Sequence, residues 1–475
     1  GSDELSTLVR KQQDTRDALS RLEKSLFSTL LQPAGKRDLV AEAGMQKNVE
    51  ATRADLRQQE KIILESFPEY AALVSPSPID LKQLQALLSE GEAVVAYAVG
   101  EKRSFAWVIR RDGADFESLD ISARDIEQQV QFLRNKLQPN DRGELPEMTP
   151  ATSSRLYRKI FAPLESSLTG VKRIFLIPDA ALQSLPFGIL GAGDAKTPEW
   201  LATRYAFATL PSVSALRALR HFSKPVFGKE PFIGFGDPVL DGESGNQRSL
   251  SAGKLFVTRG LDSKAATVSG TGIVDVSALR KASPLPDTAA ELKSLSRSLK
   301  GSTDAIYLQA KATETRVKQM DLSQYRFVGF ATHGVMAGEM AGVVEPGLIL
   351  TPPEDGTLQD DGYLSASEVA QLKLNADWVL LSACNTAAPD GTPGAEGLSG
   401  LAKAFFYAGT RSLLVSNWQV SSVATQKLMS DTMKLYVGAP GPGKPEALQG
   451  AMLSMMNSNE YRHPFFWAAF VVVGD

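Results

Sequence analysis

The sequence predicts an α/β protein: a mostly parallel sheet with helices on both faces, preceded by an α-helical hairpin. Three observations predict it. From about residue 286, short apolar runs alternate regularly with helical stretches, and strands separated by helices pair in parallel. Before residue 76 the pattern is helical and rich in charge. The 475 residues are 43% hydrophobic, enough for two to four structural units with a sizeable core.

The elements follow in order. Gly1-Ser2 reads as a cloning remnant. Leu5, Leu8, Leu19, Leu22, Leu26 and Leu30 recur at mostly helical spacing, predicting a helix over 3–31. A second helix over 36–67 pairs with it as a hairpin. Its apolar content is low for a free-standing domain, so the chain reads as the C-terminal part of a longer protein. Pro76 and Pro78 close this segment. Residues 93–99 and 105–110 predict a strand pair around Gly100-Glu101-Lys102. Helices are expected over 123–137 and 152–168, and strands over 173–177 and 232–235. Residues 241–285 are rich in Gly, Ser and Lys and read as a long loop. Beyond them, strands at 305–308, 326–331, 347–350, 378–382, 411–416 and 468–473 alternate with helices at 289–300, 314–320, 365–372, 397–407, 422–436 and 445–457. In such sheets, sites lie beyond the carboxyl ends of the strands.

Composition excludes several functions. The 51 Lys and Arg balance 54 Asp and Glu, so no electrostatic footprint for nucleic acid or an anionic membrane is expected. The longest apolar run, about 465–473, is far below the roughly 20 residues of a spanning helix. One cysteine, Cys384, and three histidines forbid an internal disulfide and every Cys-rich zinc site, so no metal or other cofactor is expected. Gly438 to Lys444 fits G-x-x-x-x-G-K, but Pro445 stands where a hydroxyl must ligate Mg²⁺, and the run lies between two helices. Gly234-Phe235-Gly236 lacks a third glycine and reads as a turn. His221 reads as a surface helix residue, and His463, before Pro464, as a packed or capping one.

Two strands end in reactive residues. One leads into Thr332-His333-Gly334, the other into Ser382-Ala383-Cys384-Asn385-Thr386. If they neighbour each other in a parallel sheet, both side chains emerge at one edge. The order is His first, with about the separation of the caspase pair. A thiol near neutral pH is a few per cent thiolate, and an imidazole beside it generates more and protonates a leaving amine. The backbone N–H groups of Gly334 and Cys384 are the candidate oxyanion hole. The Pro- and Gly-rich stretch 385–396 is a candidate groove wall. Taken singly, a cysteine at a strand end also reads as a small buried hydrophobe, and a histidine as structural.

At these residues the sequence resembles the CHAT domain (caspase HetF associated with TPRs), a family of caspase- and separase-like cysteine peptidases. The resemblance runs through Ala331-Thr-His333-Gly334, Leu381-Ser-Ala-Cys384-Asn-Thr386, Gly394-Ala-Glu396-Gly397-Leu398, Ser416-Asn-Trp418-Gln-Val420 and His463-Pro464-Phe-Phe-Trp467. Upstream it includes Ile177-Pro178-Asp179, Leu185-Pro186-Phe187 and Leu285-Pro286. It implies a caspase-like fold in two related halves. Residues 76–225 are then a pseudo-protease half, residues 226–475 the catalytic half, and residues 1–75 a linker or the end of a TPR-like region. It further implies a bacterial, cytoplasmic, regulated cysteine peptidase that cuts a protein substrate and is switched on by a partner or an upstream TPR-like region. Substrates in the family include gasdermin-like pore formers and factors cut by CRISPR-associated TPR-CHAT proteases. Its first substrate pocket would draw on Ser382, Asn385, Trp418, Ser421 and Ser422. Relatives often carry an acidic residue near Ser421 and Ser422; here neither acid nor arginine stands there, which predicts a small or uncharged residue before the scissile bond. Two other readings remain on the same residues: a catalytically silent signalling or scaffold module, and a different Cys-dependent acyl transferase or hydrolase.

Overall fold

The computed structural model describes residues 39–66, 79–140, 142–193, 197–221, 227–242, 248–250, 254–256, 274–335, 345–357, 359–383, 400–418, 422–438 and 441–475, with scattered helical positions between 8 and 26. The chain divides into two compact units, Gly1–Ser77 and Pro78–Asp475.

In the first unit, helix α1 spans Leu39–Ser66. Its less exposed positions Met45, Val49, Thr52, Leu56, Gln59 and Ile63 step by alternating fours and threes, with Ile62 also half-buried beside the last. Among the described helical positions between 8 and 26, the less exposed ones, Leu8, Gln12, Thr15, Leu19, Leu22 and Leu26, step the same way, and Lys11 is exposed. That is the seam spacing of paired helices. A polar contact crosses between the two rows: Gln59 Nε2 donates to Thr15 Oγ1 at 3.0 Å.

The second unit opens with α2 (Leu81–Leu87), capped by the Asp80 carboxylate. Strands β1 (Glu92–Ala98), β2 (Ser104–Arg110) and β3 (Gly113–Leu119) form an antiparallel meander. The third strand was not expected, because the half-exposed run GADFESL carries little apolar signal. Helix α3 (Ala123–Lys136) starts at the Ser122 cap. Helix α4 (Pro150–Ile160) starts at a Thr149 capping box and ends earlier than expected. Pro163 cannot continue it, and residues Ala162–Leu168 tighten into a 3₁₀ turn. Then come β4 (Arg173–Ile177), β5 (Ala206–Thr209) and α5 (Val213–His221).

The remaining elements alternate as the sequence predicts. They are β6 (Glu230–Gly236), α6 (Val276–Arg280), α7 (Asp287–Ser298), β7 (Ile306–Leu308), α8 (Glu314–Gln319) and β8 (Tyr325–Ala331). A separate antiparallel ribbon holds β9 (Gly334–Val335), β10 (Gly347–Ile349) and β11 (Tyr363–Ser365). The run at 347–350 therefore forms a strand outside the main sheet. Helix α9 (Ala366–Val369) is a single turn, shorter than expected. Then follow β12 (Trp378–Ser382), α10 (Gly400–Tyr407), β13 (Ser412–Ser416), α11 (Ser422–Val437), α12 (Lys444–Met456), α13 (Pro464–Trp467) and β14 (Phe470–Gly474). The supposed loop 241–285 contains α6 and, over 248–250 and 254–256, a short antiparallel ribbon; most of its other residues lie outside the described ones.

One 11-stranded sheet runs β7-β6-β8-β12-β13-β14-β5-β4-β1-β2-β3. Strands from before and after residue 225 thus share a single sheet. The β7-β6-β8-β12-β13 stretch is parallel, and β14 returns antiparallel to β13. Helix α7 presses Leu292 onto this sheet, and Phe232 fills the space beside it. A Cβ on Gly329 of β8 would lie 2.9 Å from the Phe232 ring, so any larger residue must displace that ring.

The amino ends of the strands gather in a partly buried charge network. Asp377, before β12, pairs with Lys444 at 3.0 Å and Arg326 at 2.8 Å, and accepts from Tyr436 Oη at 2.8 Å. Lys444 also donates to Ser412 Oγ and the Asp475 carbonyl. Arg220 joins Asp475 to Glu92, and Arg173 joins Glu92 to Glu446. This settles the G-x-x-x-x-G-K run: its lysine is a buried structural cation, not a phosphate ligand. His463 caps α13, with Nδ1 accepting from the Phe465 N–H and Nε2 beside the Pro146 carbonyl.

Candidate active site

The opposite edge, beyond the carboxyl ends, carries His333. Strands β8 and β12 pair in parallel, from Phe327↔Trp378 to Ala331↔Ser382. The offset is 51 residues at both ends of this ladder. His333 is two residues past Ala331, and Cys384 is two past Ser382 in the sequence. The spacing that singled out the two residues is the strand register itself. Cys384, Asn385 and Ser421 lie outside the described residues, and Ser422 opens α11 with its side chain outside them.

His333 is fully buried. Its loop is tied to β10: Thr332 Oγ1 donates to the Ile349 carbonyl, and Ile349 N donates to the His333 carbonyl at 3.0 Å. On the ring, Nε2 lies 2.7 Å from the Ser283 carbonyl. A carbonyl only accepts, so Nε2 carries the hydrogen, and in the neutral ring Nδ1 holds the basic lone pair. The carbonyl thus orients the imidazole and selects its tautomer.

Ser283 is the residue that sequence reasoning missed. It sits in the supposed loop, between α6 and α7, followed by Pro284 and Pro286. The segment is held by an apolar cluster of Leu240, Ala278, Leu279, Ala282, Val335 and Ile349, among others. That cluster joins the Ser283 segment to the ribbon that follows His333. The sequence signal beside it was Leu285-Pro286, part of the family resemblance, which does not show that the Ser283 carbonyl faces a histidine.

Gly334 pairs with Leu348. Because Ile349 N bonds the His333 carbonyl, this is a non-hydrogen-bonded pair, and the Gly334 N–H points away from β10. On the other strand, Ser382 is buried, and the Ala383 carbonyl accepts from Ser416 Oγ of β13. Trp418 is a core residue with 1% exposure, its Nε1 donating to the Phe465 carbonyl at 3.3 Å. It packs in the core directly after β13. Asp237, at the end of β6, has its carboxyl pushed up by burial, against a hydrogen bond from Gln309. Among the described residues, no group of three or more His, Cys, Asp or Glu side chains gathers as a metal site, and no helix is long and apolar enough to cross a membrane.

Comparison with known proteins adds three findings. A family model described as the CHAT domain matches residues 150–475. The chain is similar to tetratricopeptide repeat protein 28 of Mus musculus, 26% identical over 357 residues, and to that of Homo sapiens, 24% identical over 361. Each match covers 67% of this chain and 13% of the relative, so the chain spans about an eighth of those proteins. Among solved structures, the Saccharomyces cerevisiae separase–securin complex matches at a TM-score of 0.50 and 10% identity, covering 97% of this chain and 37% of that one. That likeness is one of fold, a caspase-like α/β sheet.

Proposed function

The chain belongs to the CHAT domain family, and on that premise we propose that it is a regulated cysteine endopeptidase acting on a protein substrate through His333 and Cys384. One observation carries the proposal: the β8–β12 register offset equals the separation of these two residues. The chemistry follows from the residues. His333 Nδ1 takes the thiol proton, and the sulfur attacks the scissile carbonyl. The Gly334 and Cys384 N–H groups hold the developing oxyanion, and the imidazolium returns its proton to the leaving amine. Water then hydrolyses the acyl-enzyme, with the same imidazole as base.

We read activation as partner-dependent, through a binding protein or an upstream TPR-like region. The test incubates the wild-type chain and Cys384→Ala with proteins encoded beside its gene, including any longer form of the chain. Fragments that appear with wild type and not with Cys384→Ala support the proposal. Fragments from both, or from neither with every partner, favour a silent signalling module instead.

Specificity is proposed from Ser382, Asn385, Trp418, Ser421 and Ser422. No charge stands in this set, which favours a small or uncharged residue before the cut bond. A peptide-library profile should show Ala, Ser, Gly or similar residues there. A profile dominated by Arg, Lys, Asp or Glu would overturn this assignment.

A further inference from the structure

One hairpin holds both the backbone and the ring of His333. Its strands are β10 and β11, paired from Gly347↔Ser365 to Ile349↔Tyr363. Through Ile349 N it bonds the His333 carbonyl. Through its loop it grips α6. Just past α6 stands Ser283, whose carbonyl meets His333 Nε2.

The loop owes its shape to two prolines. Leu350 N donates to the Gly362 carbonyl at 2.8 Å. Pro352 and Pro353 follow, with no N–H to extend the ladder and with carbonyls that still need donors. Gly362 sits at φ +82°, and a Cβ there would lie 2.6 Å from the Pro352 Cα, so glycine lets the two sides of the loop close up.

Arg280, the last residue of α6, supplies the donors. Its Nη2 donates to the Pro352 carbonyl at 3.1 Å and to the Pro353 carbonyl at 3.0 Å. Its carboxylate neighbour, Asp241, is 3.8 Å away and 66% exposed, a contact of little worth. Before the other end of α6, Val274 N donates to Asp361 Oδ2 at 2.8 Å. The helix is therefore fastened at both ends to one loop. A helix of five residues has no stability of its own, so outside contacts set its position. Ala278 and Leu279 pack inward in the apolar cluster, but apolar contact is non-directional. On the outer side an open cleft of about 360 Å³ lies among Val276, Ser277, Glu354 and Asp355. There the guanidinium ties helix to loop. A hydrogen bond from an imidazole needs its acceptor in one place and direction, and this tie supplies it.

We propose that Arg280 is a positioning residue of the active site: by binding α6 to the β10–β11 loop it keeps the Ser283 carbonyl on Nε2 of His333 and the basic lone pair on Nδ1. The role rests on the peptidase reading for its catalytic meaning, whereas the state of the ring does not.

The ring is read directly by nitrogen NMR of the Cys384→Ala protein, labelled at its histidine nitrogens. The chain has three histidines, and His333→Gln identifies the signals of this one. Long-range nitrogen–proton spectra should place the hydrogen on Nε2. Arg280→Met should bring in the Nδ1–H tautomer while the other two histidines stay unchanged. Arg280→Lys, whose ammonium can serve both carbonyls, should restore the wild-type pattern. Arg280→Gln, which can keep one carbonyl, serves if Arg280→Met does not fold, and should show the same mixture. With Cys384 present, Arg280→Met should lower kcat on the best-cleaved library peptide about tenfold and leave KM within about twofold, because the loss falls on proton transfer and not on binding. A wild-type hydrogen on Nδ1, unchanged His333 nitrogens in Arg280→Met, or a lysine variant that behaves as the methionine one would overturn the proposal. The expected ring states in a protein that cleaves nothing would uphold Arg280 as the residue that positions the ring and remove only the peptidase reading.

Discussion

His333→Gln should lower kcat/KM for substrate cleavage by about 10²–10⁴-fold, the usual worth of a positioned acid–base group. Glutamine retains an N–H that can reach the Ser283 carbonyl, so the buried acceptor keeps a partner, while the basic nitrogen is lost. The urea midpoint of the variant should stay close to wild type. That separates a chemical loss from a folding loss. The double variant His333→Gln/Cys384→Ala should be no slower than Cys384→Ala alone, because groups that act as one unit do not add. Activity of His333→Gln within threefold of wild type would remove the imidazole from the mechanism. The Ser283 carbonyl is the positioning element: it holds Nε2 at 2.7 Å and thereby directs Nδ1.

Asp377→Asn should destabilise the second unit by about 3–5 kcal/mol, the cost of leaving a buried partner charge uncompensated. Asp377 is 1% exposed and Lys444 6%. Burial alone would raise the Asp377 carboxyl, but Lys444, Arg326 and Tyr436 outweigh it and hold the group below the usual carboxylate range. Burial likewise lowers Lys444, against the pull of Asp377. Burial and Asp377 push the Tyr436 hydroxyl up to about 12. A carboxyl depressed by folding contributes stability that is present above its unfolded value near 3.8 and lost as pH falls through its folded value. Wild type should therefore lose stability below about pH 4, and Asp377→Asn should show a shallower acid slope. Urea denaturation from pH 3 to 7 measures both. Adding Lys444→Met to Asp377→Asn should restore part of the loss, since the orphaned cation is gone. An Asp377→Asn midpoint equal to wild type at pH 7 would contradict the network's role.

These two sites lie at opposite edges of one sheet, and they differed in how far the sequence revealed them. His333 and Cys384 were legible because each directly follows an apolar run, and strand-end chemistry is local in the sequence. The charge network was not legible. Lys444 lies in a run that fits a phosphate loop in part but reads as a helix connection, and its partners Asp377, Ser412 and Asp475 are 31 or more residues away. Strand β3 was missed because its half-exposed residues give no apolar alternation. The long helix at 152–168 was over-extended because periodicity ran on through Pro163, where backbone geometry stops the helix.

The sequence by itself determined the α/β class, most of the strands and the pair of reactive residues with its 51-residue separation. Periodicity and strand ends depend on neighbours in the chain, so they can be read along it. Only the tertiary structure decided that this separation is a register between adjacent strands, that the Ser283 carbonyl orients the histidine, and that Lys444 is structural. It alone gave Arg134 its partners, carbonyls from residues 50 and 283 positions away. Those contacts join segments far apart in the sequence, and their energy comes from burial and hydrogen bonding that exist only once the sheet has closed.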